Sequence, residues 1–260
     1  MLPRIYSAWT WAITAIITVI WLPWLTLLFL VTVPFDRGRY TVGRWFRLAA
    51  VTSVALNPLW RFSTSGVRIR DPRRPYVAVS NHESLADIFL ISHLPWEMKW
   101  LSKDAIFRIP VMGWMMYLAG DIAVKRNQRS SRADALQQCR DRLRNRVSIM
   151  IFPEGTRSRT DDLLPFKDGA FRLAIEAGVP ILPLVVAGTR SAMRKGSLVF
   201  GRSRAEVRAL EPIPTDGMTL ADVPALRDRV RELIIAARAE LRRDLAAEGR
   251  RDTAGARLGA

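Results

Sequence analysis

From Ile5 to Phe35 the chain carries no charged side chain. At 1.5 Å rise per residue, about 20 helical residues cross the hydrocarbon core of a bilayer, so this run is long enough to span one. A secretory signal would have a shorter apolar core and a small-residue cleavage site, and neither is present. A buried helix in a soluble protein rarely runs so long without a polar face. Pro23, with Trp21 and Trp24 beside it, is expected to divide the run. A second apolar segment extends from about Trp45 to Trp60, flanked by Arg44, Arg47 and Arg61. Two arrangements compete: one spanning helix followed by an amphipathic one, or a helical pair that dips into one leaflet and returns. The basic residues after the first segment (Arg37, Arg39, Arg44, Arg47) put the larger C-terminal part on the cytoplasmic side. Residues 1–62 are therefore read as membrane-associated helices.

Beyond residue 62 the texture changes to short apolar runs alternating with helical patterns. Strands are expected at Val67–Arg70, Tyr76–Ser80, Met98–Ser102, Asp121–Lys125, Val147–Phe152 and Ile181–Ala187. Later ones are expected at Val199–Phe200 and Ala205–Leu210. Helices are expected at Ser84–His93, Val111–Ala119, Ser131–Arg144 and Lys167–Ala177, and over Thr219 to about Glu248, whose apolar stripe includes Leu226, Val230, Ile234 and Leu241. This order predicts an α/β domain over 63–247 with a largely parallel central sheet flanked by helices. The polar, Gly- and Ala-containing segment 248–260 reads as an unstructured tail.

Charge narrows the partners. Lys and Arg number 40 against 24 Asp and Glu, a net of +16. Such an excess suits an anion: nucleic acid, an acidic membrane surface or a phosphorylated substrate. The single cysteine, Cys139, excludes an internal disulfide and a cysteine-rich zinc site. There is no P-loop and no G-x-S-x-G, and His82-Glu83 has no histidine at position 86 to complete H-E-x-x-H. No metal site is expected.

In open α/β sheets, sites lie at the carboxyl ends of strands, and three polar clusters follow apolar strands here. Asn81-His82-x4-Asp87 is the first. Residues five apart do not share a helical face, so the pair meets only if His82 precedes the helix and Asp87 lies in its first turn. Ser84 as N-cap with Asp87 at N3 fits that demand. The aspartate would fix one imidazole nitrogen and free the other as a base; alternatively Asp87 merely completes a capping box. Val124-Lys125-Arg126 is the second cluster, equally readable as solvated charge. Phe152-Pro153-Glu154-Gly155-Thr156-Arg157-Ser158 is the third, where Gly155 permits close approach to a ligand and Arg157 offers a planar fork for phosphate. An ordinary turn would also suit it. A weaker element, Val179-Pro180-Ile181-Leu182-Pro183-Leu184, reads as structure by itself.

Together these residues resemble the 1-acyl-sn-glycerol-3-phosphate acyltransferase (lysophosphatidate acyltransferase) family. Asn81 to Asp87 matches its N-H-x4-D block, Gly120 to Arg126 its second block, Phe152 to Ser158 its F-P-E-G-T-R-S block and Val179 to Leu184 its proline block, in the family's order. Lys125 departs from it, standing where aspartate or another polar residue is common. The resemblance implies a membrane-bound enzyme that moves a fatty acyl group from acyl-CoA or an acidic acyl-carrier protein to lysophosphatidic acid, with no cofactor. It implies His82 as base, oriented by Asp87, and Arg126, Glu154, Gly155, Thr156 and Arg157 at the acceptor phosphate, with Lys103 as a further phosphate contact. Pro180, Ile88 and Phe89 would serve the acyl donor, and Met112, Trp114 and Met115 are further candidates for an acyl tunnel. Membrane lipids are expected partners, nucleic acid is not, and the expected location is the cytoplasmic face of a bacterial-type inner membrane. Another lysolipid, such as lyso-ornithine lipid or lysophosphatidylglycerol, is an alternative acceptor. A non-catalytic binder of anionic lipid or nucleic acid is the alternative outside the class.

Overall fold

The computed structural model describes residues 2–125, 127–158, 160–194 and 196–258, with side chains over 4–250. Two helices, α1 (Leu2–Thr32) and α2 (Tyr40–Ala55), lead into strand β1 (Trp60–Gly66). Then follow β2 (Val77–Ser80), α3 (Ala86–Ile91), β3 (Met98–Lys103), α4 (Asp104–Phe107), α5 (Met112–Ala119), β4 (Ile122–Val124) and α6 (Arg129–Arg144). The chain continues through β5 (Ser148–Ile151), α7 (Gly169–Ala177), β6 (Ile181–Ala187), α8 (Thr189–Ala192) and β7 (Ser203–Ala209), and ends in α9 (Val223–Leu258).

The strands form one sheet in the order β1-β7-β6-β2-β5-β3-β4. The five from β6 to β4 run parallel, β7 pairs antiparallel with β6, and β1 runs parallel to β7. Helices cover both faces, so the central strands are apolar throughout: all seven residues of β6 are buried. Alternation then sorts side chains by face. Val77, Val79 and Ile149 pack with Cys139 of α6, Phe171 of α7 and Val230 and Ile234 of α9. Ala78, Met150 and Leu182 face the other way, onto Leu90 and Ile91 of α3 and Trp100. The expected mixed architecture, with a mostly parallel sheet between helices, is what the structure shows.

Several boundaries differ from expectation. Pro23 does not divide α1, which continues through it. Leu25 is fully buried just beyond the proline, and the Trp21 indole donates to the Trp45 carbonyl, so α2 braces the helix across the break. α2 begins near residue 40, not 45, because the Asp36 carboxylate accepts the N–H groups of Tyr40 and Thr41 at 3.0 and 2.7 Å. The first strand is Trp60–Gly66, and 67–70 is irregular. Gly66 stops the ladder: its φ is +90°, and a Cβ there would lie 2.0 Å from the Ala209 carbonyl oxygen. Phe200 makes only a single bridge to Met193. α9 runs on to Leu258, through the segment expected to be an unstructured tail.

Most of the outward face of α1 is exposed apolar surface, including Ile16, Val19, Ile20, Trp24, Leu27 and Leu30. Arg4–Thr32 is long and apolar enough to cross a membrane. The inward face packs Leu25 against Val42 and Phe46 of α2 and Met115 of α5.

α2 is seated on the sheet by four buried charges. Arg47 bonds Asp121 at 2.5 Å and stands 3.6 Å from Glu97; Lys99 bonds Glu97 at 3.0 Å and the Arg39 carbonyl at 2.7 Å. Burial holds the Lys99 ammonium below and the Glu97 carboxyl above their ordinary pKa values, against the mutual attraction of the pair. Gly43 makes the contact possible, since a Cβ there would sit 2.1 Å from Glu97 Oε1. The cluster is neutral as a set of two cations and two carboxylates. Lys99→Met therefore leaves an uncompensated charge and should lower unfolding free energy by about 3 kcal/mol. The double change E97Q/K99M removes one charge of each sign and should restore more than half of that loss. Denaturant unfolding of the full chain in detergent checks both, and equal losses in the two variants would contradict the charge argument.

Candidate active site

β2 ends at Ser80, and the next residue supplies a rung that the backbone no longer makes. The Asn81 amide donates to the Val186 carbonyl at 2.8 Å, and its oxygen accepts the Val186 N–H at 2.9 Å. The chain thereby leaves the sheet at His82 without orphaning the end of β6.

Asp87 is fully buried and its carboxylate is saturated with donors. Oδ2 accepts His82 Nδ1–H at 2.7 Å and the N–H groups of Glu83 and Ser84 at 2.8 and 3.0 Å. Oδ1 accepts the hydroxyl of Thr189. His82 thus precedes the helix and Asp87 lies in its first turn, as the spacing demanded, though α3 starts at Ala86 and is shorter than Ser84–His93. Ser84 still serves as a cap, its hydroxyl accepting the Ala86 N–H at 3.2 Å. With Nδ1 committed, the imidazole presents Nε2 as its free nitrogen.

The loop after β5 holds the rest of His82. Its ring stacks on Phe152 with centroids 3.9 Å apart. Its N–H donates to Glu154 Oε1 at 2.7 Å, and its carbonyl accepts the Ser158 N–H at 3.1 Å. The second oxygen of Glu154 accepts the Leu164 N–H at 2.9 Å. Burial pushes the Glu154 carboxyl up, with the two N–H donors opposing. With one backbone N–H on each oxygen, Glu154 ties this loop to His82.

Arg157 sits one residue before Ser158, half-buried on the same loop, with Thr156 exposed beside it. Gly155 has φ +71°, and a Cβ there would lie 2.9 Å from Lys167 Nζ. The glycine thus lets a lysine amine close on the turn. Lys167 is a cation the sequence reading assigned only to the start of a helix.

The other expected residues scatter. Lys103 is exposed at the carboxyl end of β3, two strands from β2, roughly 10 Å away by strand spacing. Arg126 lies outside the described residues. Pro180 precedes β6 at the amino edge of the sheet, where its carbonyl accepts the Val77 N–H at 3.1 Å. That is the edge opposite His82, so Pro180 is not part of the site: parallel strands place their starts and ends on opposite rims. Ile88 and Phe89 line an apolar cavity of about 280 Å³, together with Phe46, Trp60, Met112 and Met115. Leu85 and Ala86, next to Asp87, form part of its wall, as do Trp11 and Thr14 of α1. Trp114 is exposed and is not among the lining residues.

Two residues escaped the sequence reading. Thr189 follows the carboxyl end of β6, outside the motif formed by the prolines at that strand's start. Glu83 is buried and held by Arg238 of α9, Nε at 2.6 Å, and by Arg242 at 3.3 Å. Burial pushes its carboxyl up against the pull of Arg238. Among the described residues no group of three or more His, Cys, Asp or Glu is arranged to hold a metal ion.

Residues 61–187 match the profile of the acyltransferase family. A 1-acyl-sn-glycerol-3-phosphate acyltransferase of Chlamydomonas reinhardtii is 43% identical over 125 residues, 48% of this chain and 38% of the relative. Human 1-acyl-sn-glycerol-3-phosphate acyltransferase alpha is 35% identical over 186 residues, 71% of this chain and 66% of the relative. The chain belongs to the acyltransferase family. It spans about two fifths to two thirds of the length of these curated relatives. The crystal structure of the 1-acyl-sn-glycerophosphate (LPA) acyltransferase PlsC from Thermotoga maritima shares the fold, with a TM-score of 0.71 over 92% of this chain and 98% of that one, at 23% identity.

In this acyltransferase domain Glu154 is the joint between the two loops of the site. Glu154→Gln keeps the size but loses one acceptor, and should cost about 1–3 kcal/mol. Hydrogen exchange at the His82 and Leu164 amides should accelerate while the amides of β6 keep their protection.

Proposed function

We propose that the chain transfers a fatty acyl group from a thioester donor to the 2-hydroxyl of 1-acyl-sn-glycerol-3-phosphate, giving phosphatidic acid, at a membrane surface. One observation carries this reading above the others. An imidazole fixed at Nδ1 by a buried carboxylate stands beside a guanidinium-bearing turn and next to an apolar cavity. The curated relatives bear the name of this activity.

The chemistry follows from that arrangement. A lipid hydroxyl is a poor nucleophile until its proton is removed, and His82 Nε2 takes that proton as the oxygen attacks the thioester carbonyl. Asp87 stabilises the imidazolium that forms. The C–S bond then breaks, and the imidazolium returns the proton to the departing sulfur, leaving an ester and a thiol. Thioesters are activated already, so no acyl-enzyme is required. Arg157, with Lys167 beside Gly155, would hold the acceptor's phosphate on the β5 side of the imidazole. The cavity beneath α3 would house an acyl chain, and α1, apolar outward, would keep that cavity at the bilayer where both lipids reside. Acyl-CoA or acyl-carrier protein would approach from the water on the cytoplasmic side, drawn by the +16 charge.

Acyl transfer by the full chain in detergent or vesicles, across a panel of lysolipids with mass detection, tests the proposal. Lysophosphatidic acid should be preferred over lysophosphatidylglycerol and lyso-ornithine lipid. His82→Ala should lower kcat by 10²–10⁴-fold, the usual worth of general-base catalysis, and leave binding to anionic vesicles intact. Near wild-type transfer in that variant would overturn the assignment of the base. Arg157→Ala should raise the acceptor KM about tenfold or more, the scale of one charged hydrogen bond, and leave the donor KM alone. Equal effects on both substrates would remove the phosphate role.

A further inference from the structure

A second cluster of guanidinium groups lies on the other side of the imidazole. Arg190, Arg194, Arg204 and Arg242 line a cavity of about 420 Å³, together with Glu83 and Gly188. They come from three separate elements: α8 with the loop after it, β7, and α9. Glu83 follows His82 directly, and Gly188 precedes the Thr189 that bonds Asp87. The inner end of the cavity is thus the backbone that carries the His82–Asp87 pair.

The strand order gives this position its meaning. β2, which delivers His82, lies between β5 and β6. The turn bearing Arg157 follows β5, and the four-arginine cavity opens where β6 ends. Two basic places therefore flank one imidazole along the carboxyl rim. A transferase that moves a group between two phosphorylated molecules needs that arrangement, one anion on each side of the reacting atoms.

The charges inside the cavity are poorly balanced. Glu83 is already shared between Arg238 and Arg242. Arg190 and Arg242 approach Asp161, and Arg204 approaches Glu248, at 3.3–3.7 Å, but both carboxylates are more than half exposed. Such pairs are screened by water, and Arg190 also donates to the Thr160 carbonyl and Arg242 to the buried Glu83, so these two forks are held in place at the cavity wall. Guanidinium forks match phosphate oxygens two at a time. Four of them around one cavity suit a ligand with several phosphates, and the volume falls within the usual range for a small-molecule site.

We infer that this cavity binds the phosphates of the nucleotide carrier of the acyl donor, so that donor and acceptor anions are gripped on opposite sides of His82. The inference rests on the acyl-transfer reading for its ligand, and it assigns the donor as coenzyme A and not a carrier protein. Coenzyme A brings several phosphate groups into the cavity, whereas a carrier protein brings a single phosphodiester there and can meet the arginines only with carboxylates of its own surface.

The test uses the full chain in detergent, with Arg194→Ala and Arg204→Ala made separately. Free coenzyme A and adenosine 3′,5′-bisphosphate are titrated by calorimetry, and vesicles containing phosphatidic acid serve as the lipid arm. Each variant should weaken both nucleotides about tenfold and raise the KM for acyl-CoA by a similar factor. The KM for lysophosphatidic acid and the affinity for vesicles should stay as in the wild type. Nucleotide binding unchanged in both variants would overturn the inference. So would a loss confined to vesicle binding, which would make the cavity a lipid-headgroup site. Transfer from acyl-carrier protein by a wild type that does not bind coenzyme A would overturn it in favour of the protein donor. Binding of coenzyme A by a chain that transfers no acyl group would instead leave the site standing and sink the catalytic reading.

Discussion

A carboxylate with no access to water must be surrounded by donors or lose its charge, and Asp87 meets that demand with four of them. Two are backbone amides of its own loop, one is the imidazole, and one is the hydroxyl that follows β6. The requirement fixes more than the histidine. It forces the loop 81–86 to wrap around the carboxylate, and it ties the end of β6 to the start of α3. Asn81 makes the same join from the other side, replacing one rung of the ladder. His82 is consequently held at ring, N–H and carbonyl, and its only remaining freedom is to pass a proton through Nε2. An imidazole so restrained loses little entropy when a substrate arrives, which is what general-base catalysis requires.

Around that fixed point the surroundings are divided by chemistry. The face toward α3 and α5 is apolar and hollow, the β5 side carries Arg157 and Lys167, and the β6 side carries four arginines. α1 serves two environments at once. Its outward side chains are apolar and exposed, and its inward Trp11 and Thr14 close the cavity wall. The cavity's lining is mostly apolar, with Arg47 and Asp121 paired to each other at one end.

Features that depend on neighbours in sequence were legible, and those that depend on distant segments were not. The bounds of β6 could be read because a strand buried on both faces must be apolar throughout. The His82–Asp87 contact could be read because the helical period allows a five-residue pair to meet only across a helix start. Thr189 could not, since its partner lies 102 residues away and its own surroundings resemble any strand-to-helix turn. Pro180 was drawn to the site by its place in a motif, whereas strand direction sends it to the far rim. Glu154 was assigned to the phosphate by its place in the F-P-E-G-T-R-S block; only the fold shows that it accepts two backbone amides from separate segments. The first strand was expected at Val67–Arg70 because Val67 and Ile69 alternate there with arginines, whereas Trp60–Gly66, polar or small from Ser63 to Gly66, is the stretch that pairs with β7.

The buried charges under α2 bear on how the N-terminal helices and the sheet domain relate. Replacing such a cluster by apolar side chains often stabilises a protein, so stability alone does not account for Arg47, Glu97, Lys99 and Asp121. What apolar contacts cannot supply is a single register: a greasy helix slides on a greasy surface at little cost, whereas sliding α2 by one turn would pull Arg47 away from Asp121 and Glu97 and leave unpaired charge in the interior. Gly43 permits the close approach, and Lys99 reaches on to the Arg39 carbonyl at the first turn of the helix. The register so fixed also sets where Phe46, Ala49 and Ala50 meet the cavity. α2 packs along α1 through Trp21 and Trp45, so the position of the apolar helix is tied through these charges to the wall that an acyl chain would touch. The N-terminal helices are thus part of the cavity's structure, and a truncated domain lacking them would lose one side of it.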